Sequence, residues 1–354
     1  MSYRIAIEPI GHSVDIAEGQ TILDACLRAG IWLPHACCHG LCATCKVQVL
    51  DGEVELGAAS PFALMDFERE EKKCLACCAT VLSDVTIEAD IDDEPDARHF
   101  PIQDHTGCIA KIVDLTPTIK GIWIDLGRDG IDFQAGQYIH VHIPGEEIPR
   151  AFSLATAPGS RQQVELNVRR VMGGKGTAYL HDTLQVGDEI RFTGPLGRFY
   201  IRKSDLQPVI LMAGGSGLSS PKSMILDLLE EGDTRKITLI YGARNRKELY
   251  YDELFRELAA KHPHFTYVPA LSEATAECKW SGLKGFVHDA AKESFNGDFR
   301  GHKAYLCGPP VMIEACIRTL MQGRLYERDI YTEKFLTSAD GASGLAKSPL
   351  FRSI

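Results

Sequence analysis

His35-Ala36-Cys37-Cys38-His39-Gly40-Leu41-Cys42-Ala43-Thr44-Cys45-Lys46 carries Cys37, Cys42 and Cys45 in the spacing C-x4-C-x2-C. A loop of that length brings three sulfurs to one point, and Gly40 lets its backbone turn inward without steric cost. Further along, Cys74-Leu75-Ala76-Cys77-Cys78 offers three candidates for a fourth sulfur. Buried small hydrophobes, a zinc site and an iron-sulfur centre are the competing readings of these cysteines. Zinc sites usually pair C-x2-C with a second close pair or with histidines, whereas clustered thiols, a long gap and one more cysteine fit a 2Fe-2S cluster better.

At 354 residues the chain is too long for one core and divides into two or three domains. Its 45% hydrophobic and 24% charged content is that of a globular protein. No apolar run reaches membrane-spanning length, and Met1-Ser2-Tyr3-Arg4-Ile5-Ala6-Ile7-Glu8 alternates like a strand instead of opening a signal segment. A cytoplasmic chain with no membrane partner is expected, and twelve cysteines suit a reducing compartment when four of them bind metal. The net charge of -10 is uneven: residues 1–100 hold 18 acidic and 7 basic side chains, and the remainder has one more basic than acidic. That acidic surface is read either as solvation alone or as steering toward a basic docking face on an electron acceptor. The same balance disfavours nucleic acid.

Residues 3–8 and 13–16 alternate apolar and polar and predict a hairpin through Gly11. Thr21 offers an N-cap with Asp24 three residues on, and Gly30 closes the helix. Val47 and Val49 lead through the Asp51-Gly52 turn to Val54 and Leu56, and one further strand runs through Val81, Val85 and Ile87. Strand pair, helix, metal loop and closing strands make a β-grasp domain over residues 1–93. With its cysteine spacing this part resembles plant-type ferredoxins. The resemblance picks Cys77, in the Leu-Ala-Cys triplet, as the fourth cluster ligand, and it places Ala43 where a second glycine is usual.

Asp90 to Arg98 is acidic, holds Pro95 and reads as a linker, assigned to residues 94–102, either a flexible hinge or an ordered surface segment. Over residues 103–205 six strands, Ile109–Val113, Gly121–Leu126, Gln137–Ile143, Arg150–Ala155, Val164–Val171 and Glu189–Gly194, predict a closed antiparallel β-barrel. It contains Arg150-Ala151-Phe152-Ser153 and, further on, Gly173-Gly174-Lys175-Gly176-Thr177. Together these resemble the flavin-binding domain of the ferredoxin reductase superfamily, with its Arg-x-Tyr/Phe-Ser and Gly-x-x-Ser/Thr signatures. Arg150 suits a pyrophosphate with its planar fork of donors. Phe152 is expected along the isoalloxazine ring and Ser153 at its N5. Gly174, Gly176 and Thr177 open a helix whose amides favour phosphate. FAD is the expected cofactor, with FMN left open because no adenine contacts can be read.

Residues 206–337 alternate strand and helix: Val209–Ala213, Ile237–Tyr241, Phe265–Leu271, Ala304–Cys307 and Ile330–Lys334 predict a doubly wound parallel sheet. Gly214-Gly215-Ser216-Gly217 follows the first strand, and Ser220 is read as the cap of a helix opened by Pro221. These glycines match the Gly-Gly-x-Gly loop of the same superfamily, whose Cys-Gly-Pro, here Cys307-Gly308-Pro309, lines the nicotinamide without a covalent role. The resemblance also puts Glu333 and Phe335 beside the flavin. Phe335 is read either as a cover for the ring or as core. The acid that usually binds the NAD ribose is replaced by Gly242-Ala243-Arg244, and Arg244, Arg246 and Lys247 either meet a 2'-phosphate or are solvated. The resemblance favours NADH. Residues 338–354 read as a loose tail.

Cluster, flavin and nicotinamide domains in this order resemble the reductase components of multicomponent oxygenases. The Cys37-Cys38 doublet and the Arg-Ala-Phe-Ser motif point within them to the phenol hydroxylase reductases. That resemblance implies an oxidoreductase that takes electrons from NADH through FAD and the cluster to a separate diiron hydroxylase acting on phenol or related aromatics. A reductase for a ring-hydroxylating dioxygenase and a redox-sensing regulator are the alternatives. Nothing in the sequence requires more than a monomer.

Overall fold

Ile5, Ile7, Val14 and Ile16 recur at every second position and are all buried, and this alternation sets the first hairpin. Strands β1 (Ser2–Glu8) and β2 (His12–Ala17) pair antiparallel with Tyr3 opposite Ile16. The computed structural model describes residues 2–35, 38, 40–91, 94–275 and 279–335. Cys37 and the 338–354 tail therefore lie outside the described residues. The described residues form two units, which divide between Gln103 and Asp104.

In the first unit Thr21 caps helix α1 (Ile22–Arg28), its hydroxyl accepting the Asp24 N–H at 3.3 Å. Strands β3 (Lys46–Asp51), β4 (Val54–Glu55), β5 (Lys73–Leu75), β6 (Thr80–Val81) and β7 (Val85–Glu88) follow, with helix α2 (Asp66–Glu70) before β5. The main sheet runs β2-β1-β7-β3-β5, with β1 and β7 parallel. The single strand expected through Val81, Val85 and Ile87 is two strands. The Glu53 N–H donates to Ser83 Oγ at 3.0 Å, so the chain turns there; β6 pairs with β4 while β7 enters the main sheet. Ile102 is buried, and its N–H donates to the Leu27 carbonyl at 3.1 Å, which ties the end of the 94–102 segment to this unit.

The second unit begins with an antiparallel sheet of β8 (Gln103–Thr116), β9 (Ile119–Asp125), β10 (Tyr138–His142), β11 (Arg150–Ser153), β12 (Gln163–Arg169) and β13 (Glu189–Leu196), in the order β11-β10-β13-β8-β9-β12. A bridge between Leu154 and Leu166 joins the two edge strands, and the Ala155 N–H donates to the Glu165 carbonyl at 2.8 Å, so the sheet closes into a barrel. Helix α3 (Lys175–Ala178) continues as a π-helical turn, Tyr179–Thr183.

The parallel sheet that follows is built from β14 (Val209–Gly214), β15 (Ile237–Ala243), β16 (Phe265–Leu271), β17 (Leu283–Lys284), β18 (Lys303–Gly308) and β19 (Ile330–Lys334), ordered β17-β16-β15-β14-β18-β19. Residues Val209 to Ala213 are buried throughout, as a central parallel strand covered on both faces requires. Helices α4 (Ser219–Glu230) and α5 (Asp252–Lys261) pack on one face, and α6 (Val287–Ser294) and α7 (Pro310–Gln322) on the other. Strand order reverses at β14, so the crevice outside the carboxyl ends of β14 and β18 is the topological switch point where ligands bind. Among the described residues no helix is long and apolar enough to cross a membrane.

Candidate functional site

The cysteine loop is wound by left-handed residues: Cys38, Gly40 and Ala43 have φ of 56°, 73° and 64°. Alternation of this kind turns successive amides toward one concavity, a geometry recurrent at iron-sulfur sites. Gly40 cannot be replaced without displacement, since a Cβ there would lie 2.7 Å from Cys78 Sγ. Ala43 adopts a left-handed conformation that glycine would adopt at no cost.

Of the three later thiols, Cys74 is fully buried on β5, and burial pushes its pKa up to about 12. Cys77 instead shares a hydrogen bond with Cys45, which raises Cys77 and lowers Cys45, and its sulfur lies 3.6 Å from Cys78 Sγ. Cys38 is pushed up to about 12 by burial and then by the nearby Cys45, Cys42 and Cys78. Cys42, Cys45 and Cys77 thus border one thiol-rich pocket. Among the described residues no three His, Cys, Asp or Glu side chains form a metal-binding group. The soft sulfur donors fit an iron-sulfur cluster, and a cationic centre would relieve the mutual repulsion of their thiolates.

On the barrel, Arg150 starts β11 and lies against the start of α3: a Cβ on Gly176 would come within 2.9 Å of Arg150 Cγ. Its guanidinium donates to Glu146 Oε2 at 3.2 Å and to the Ile148 carbonyl, and Lys175 Nζ reaches Glu146 Oε1 at 3.1 Å. Two cations and the free amides of a helix start fit a pyrophosphate. Thr177 is otherwise occupied: its hydroxyl accepts the Val171 N–H at 3.1 Å and donates to the Gly174 carbonyl at 3.2 Å, closing the 171–177 turn. Phe152 is half-buried and packs on the barrel core.

The groups expected near the reacting rings converge on one carboxylate. Glu333 Oε2 accepts from Ser153 Oγ at 3.2 Å, Ser220 Oγ at 2.6 Å and Cys307 Sγ at 3.5 Å. Burial raises the Glu333 pKa to about 7, and the three donors hold it below where burial alone would put it. Burial and the adjacent Glu333 raise the Cys307 thiol well above its usual range, so it stays protonated and is no nucleophile.

Ser220 is not the helix cap. A 3-10 turn, Gly215–Leu218, precedes α4, which starts at Ser219, and this leaves the Ser220 hydroxyl free to face Glu333. A serine next to Pro221 carries two readings in sequence, and only the register of the preceding turn separates them.

Gly214 ends β14 and caps that turn, and Gly215 and Gly217 lie within it. A Cβ on Gly217 would lie 2.3 Å from the Cys307 carbonyl oxygen, and one on Gly214 would lie 2.5 Å from Met312 Sδ, so the glycine loop and the Cys307-Gly308-Pro309 turn are in close apposition. Gly308 has φ +148°. The Phe335 N–H donates to the Gly308 carbonyl at 2.9 Å, and its ring packs partly buried against the core that holds Tyr305 and Cys307. Arg244 is tied to Glu248, whose other oxygen accepts from Thr118 Oγ1 at 3.2 Å.

Family models match along the chain in the same order: a 2Fe-2S iron-sulfur cluster binding domain over residues 5–82, an oxidoreductase FAD-binding domain over 115–201 and an oxidoreductase NAD-binding domain over 211–318. Together they define an iron-sulfur flavoprotein oxidoreductase. The chain is 59% identical over the full length of both proteins to the reductase component of a phenol 2-monooxygenase from Pseudomonas sp. (strain CF600). It is 55% identical, again over both full lengths, to a phenol hydroxylase P5 protein from Acinetobacter pittii (strain PHEA-2). A crystal structure of a cytochrome P450 reductase from Amycolatopsis superposes with a TM-score of 0.84 at 35% identity, covering 94% of this chain and 98% of that one. The chain belongs to this family of three-domain reductase components.

Proposed function

We propose that the chain is the NADH-oxidising reductase of a multicomponent monooxygenase that hydroxylates phenol or related aromatics, and that its acceptor is a diiron hydroxylase component. The meeting of the barrel's Ser153 with Ser220 and Cys307 of the parallel sheet at Glu333 carries this reading, because it brings the flavin and nicotinamide elements to one point. The aromatic substrate rests on the relatives, whose names specify phenol.

Cys37, Cys42, Cys45 and Cys77 would hold the cluster. Arg150, with the amides of Gly176 and Thr177, would hold the FAD pyrophosphate, Gly174, whose N–H donates to the Val171 carbonyl at 3.0 Å, would shape the turn before them, and Phe152 would flank the ring. When bound, FAD supplies the exchange between a two-electron hydride donor and a one-electron cluster. Ser153 lies toward the reacting edge with its hydroxyl hydrogen-bonded to Glu333, which holds a proton below about pH 7 and also accepts a hydrogen bond from Ser220. Cys307, Gly308 and Pro309 shape the wall against which a nicotinamide lies, with Gly214, Gly215 and Gly217 giving backbone access. Phe335 shields the same wall from water. The Arg244–Glu248 pair leaves Arg244 neutralised, which supports NADH over NADPH. We read this reductase as cytoplasmic and as a monomer by itself.

The test mixes the iron- and flavin-loaded chain with NADH or NADPH and a phenol-hydroxylating diiron oxygenase. Catechol formation driven by NADH is the expected result. Electron delivery to a ring-hydroxylating dioxygenase in its place would transfer the chain to that class, and no NADH oxidation with any acceptor would favour a redox-sensing regulator.

A further inference from the structure

The barrel and the parallel sheet are joined at the first turn of α4 by a buried polar network that the reaction does not use. Lys222 pairs with Glu165 of β12, and their side chains are only 7% and 4% exposed. The other Glu165 oxygen accepts from the Tyr251 hydroxyl and from Asn167 Nδ2, and Lys222 Nζ lies 4.3 Å over the Tyr251 ring. Ser219 Oγ reaches Asn167 Oδ1 at 3.4 Å, and Ser223 Oγ donates to the Thr156 carbonyl. Tyr251 holds this place from a left-handed backbone, φ 58°, which an aromatic residue adopts only when its surroundings impose it.

A buried ion pair is a poor way to gain stability, since a well-packed apolar pair does as well or better. What it provides is direction: two desolvated charges with fixed hydrogen-bonding partners accept one alignment, whereas apolar faces can slide. Lys222 lies two residues beyond Ser220, on the same helical turn. Any slip of α4, and with it the parallel sheet that carries Glu333, along β12 therefore moves Ser220 and Glu333 relative to Ser153, which reaches that carboxylate from the barrel side of the same joint.

We propose that Glu165 and Lys222 are a positioning pair that registers the nicotinamide-binding sheet against the flavin-binding barrel, so that Ser220 and Cys307 meet Ser153 at Glu333. The inference rests on the reductase reading above. Hydride transfer is sensitive to displacements of this size: about 1 Å of misplacement can cost a hundredfold in rate.

The experiment replaces both members, Glu165→Gln with Lys222→Met, because removing one alone strands a buried charge. The full-length, iron- and flavin-loaded protein is mixed with NADH under rapid-mixing conditions, and flavin reduction and the long-wavelength nicotinamide–flavin charge-transfer absorbance are recorded across pH. Flavin content and melting temperature are expected to match wild type, and NADH affinity to change less than threefold. The reduction rate should fall about a hundredfold, the charge-transfer band weaken and the pH break move. Thr118→Val removes another bond between the same two domains and is expected to leave all three readouts unchanged.

An unchanged rate, band and pH break in the double variant would overturn the proposal, as would equal losses in Thr118→Val. If the double variant loses flavin, Lys222→Arg decides: retained charge with restored rate supports registration, and a rate that stays low with flavin bound overturns it. A wild-type flavin that NADH cannot reduce overturns the reductase reading itself and this inference with it, an outcome visible before any variant is compared.

Discussion

The two candidate sites are assembled in opposite ways. In the N-terminal unit three expected sulfur donors fall within nine consecutive residues, Cys37 to Cys45, and only Cys77 comes from farther along. In the second unit Glu333 receives Ser153 from 180 residues away, Ser220 from 113 and Cys307 from 26, each on a different element. A locally written site depends on the conformation of one loop. A distributed one depends on every packing contact that brings four elements to one point, so lesions in the two units should separate cleanly.

The largest separation is expected from Cys42→Ser. Losing a cluster ligand should abolish electron delivery to an oxygenase or cytochrome c and deplete iron, while NADH oxidation with ferricyanide through the flavin stays within about twofold of wild type. Loss of both activities with flavin still bound would break the comparison. The complementary lesion is Glu333→Gln. Flavin reduction should slow by about a hundredfold with iron content and cluster spectrum unchanged.

The pH dependence sharpens the same contrast. In wild type, Glu333 is neutral below about pH 7 and anionic above, and a buried anion opposes the arrival of further negative charge, so reduction should slow as pH rises through that value. Glu333→Gln should show no such break. The same raised pKa means that the neutral acid favours the fold fully below its unfolded value of 4.5, and that this advantage is lost as pH rises through about 7. Thermal melts of the flavin-bearing unit against pH, compared with those of Glu333→Gln, measure it.

Packing lesions are smaller. Gly217→Ala places a methyl 2.3 Å from the Cys307 carbonyl oxygen and should destabilise the second unit by about 1–3 kcal/mol, lowering its melting temperature without touching the cluster spectrum. The smallest effect belongs to Ala43→Gly, which removes a left-handed alanine at φ 64° and should stabilise the cluster loop by about 0.5–1 kcal/mol, read as slower iron loss to a chelator.

The same contrast decides what could be read from the chain alone. Period-two burial in β1 and β2, the unbroken apolar run of β14 and the Gly-Gly-x-Gly turn are local, and they announced a β-grasp sheet and a parallel sheet with a glycine loop after its first strand. The split of one expected strand into β6 and β7 was hidden because Val81, Val85 and Ile87 keep an apolar spacing through the turn at Ser83. Helix α2 is too short to show a period. Ser220 looked like a cap because serine before proline usually is one, and its bond to Glu333 depends on β19 lying beside β18. The Glu165–Lys222 pair had no sequence signal at all: two charges 57 positions apart read as solvated surface until the barrel and sheet meet.

The central claim is that one chain conducts electrons from NADH through a flavin to an iron-sulfur cluster. Its most direct test is an anaerobic NADH titration of the purified protein, followed by visible absorbance together with iron, zinc and flavin analysis. The account predicts iron matching a two-iron cluster, flavin matching one FAD per chain, and bleaching of both chromophores by NADH. Zinc without iron, or a flavin that NADH leaves oxidised, would contradict it.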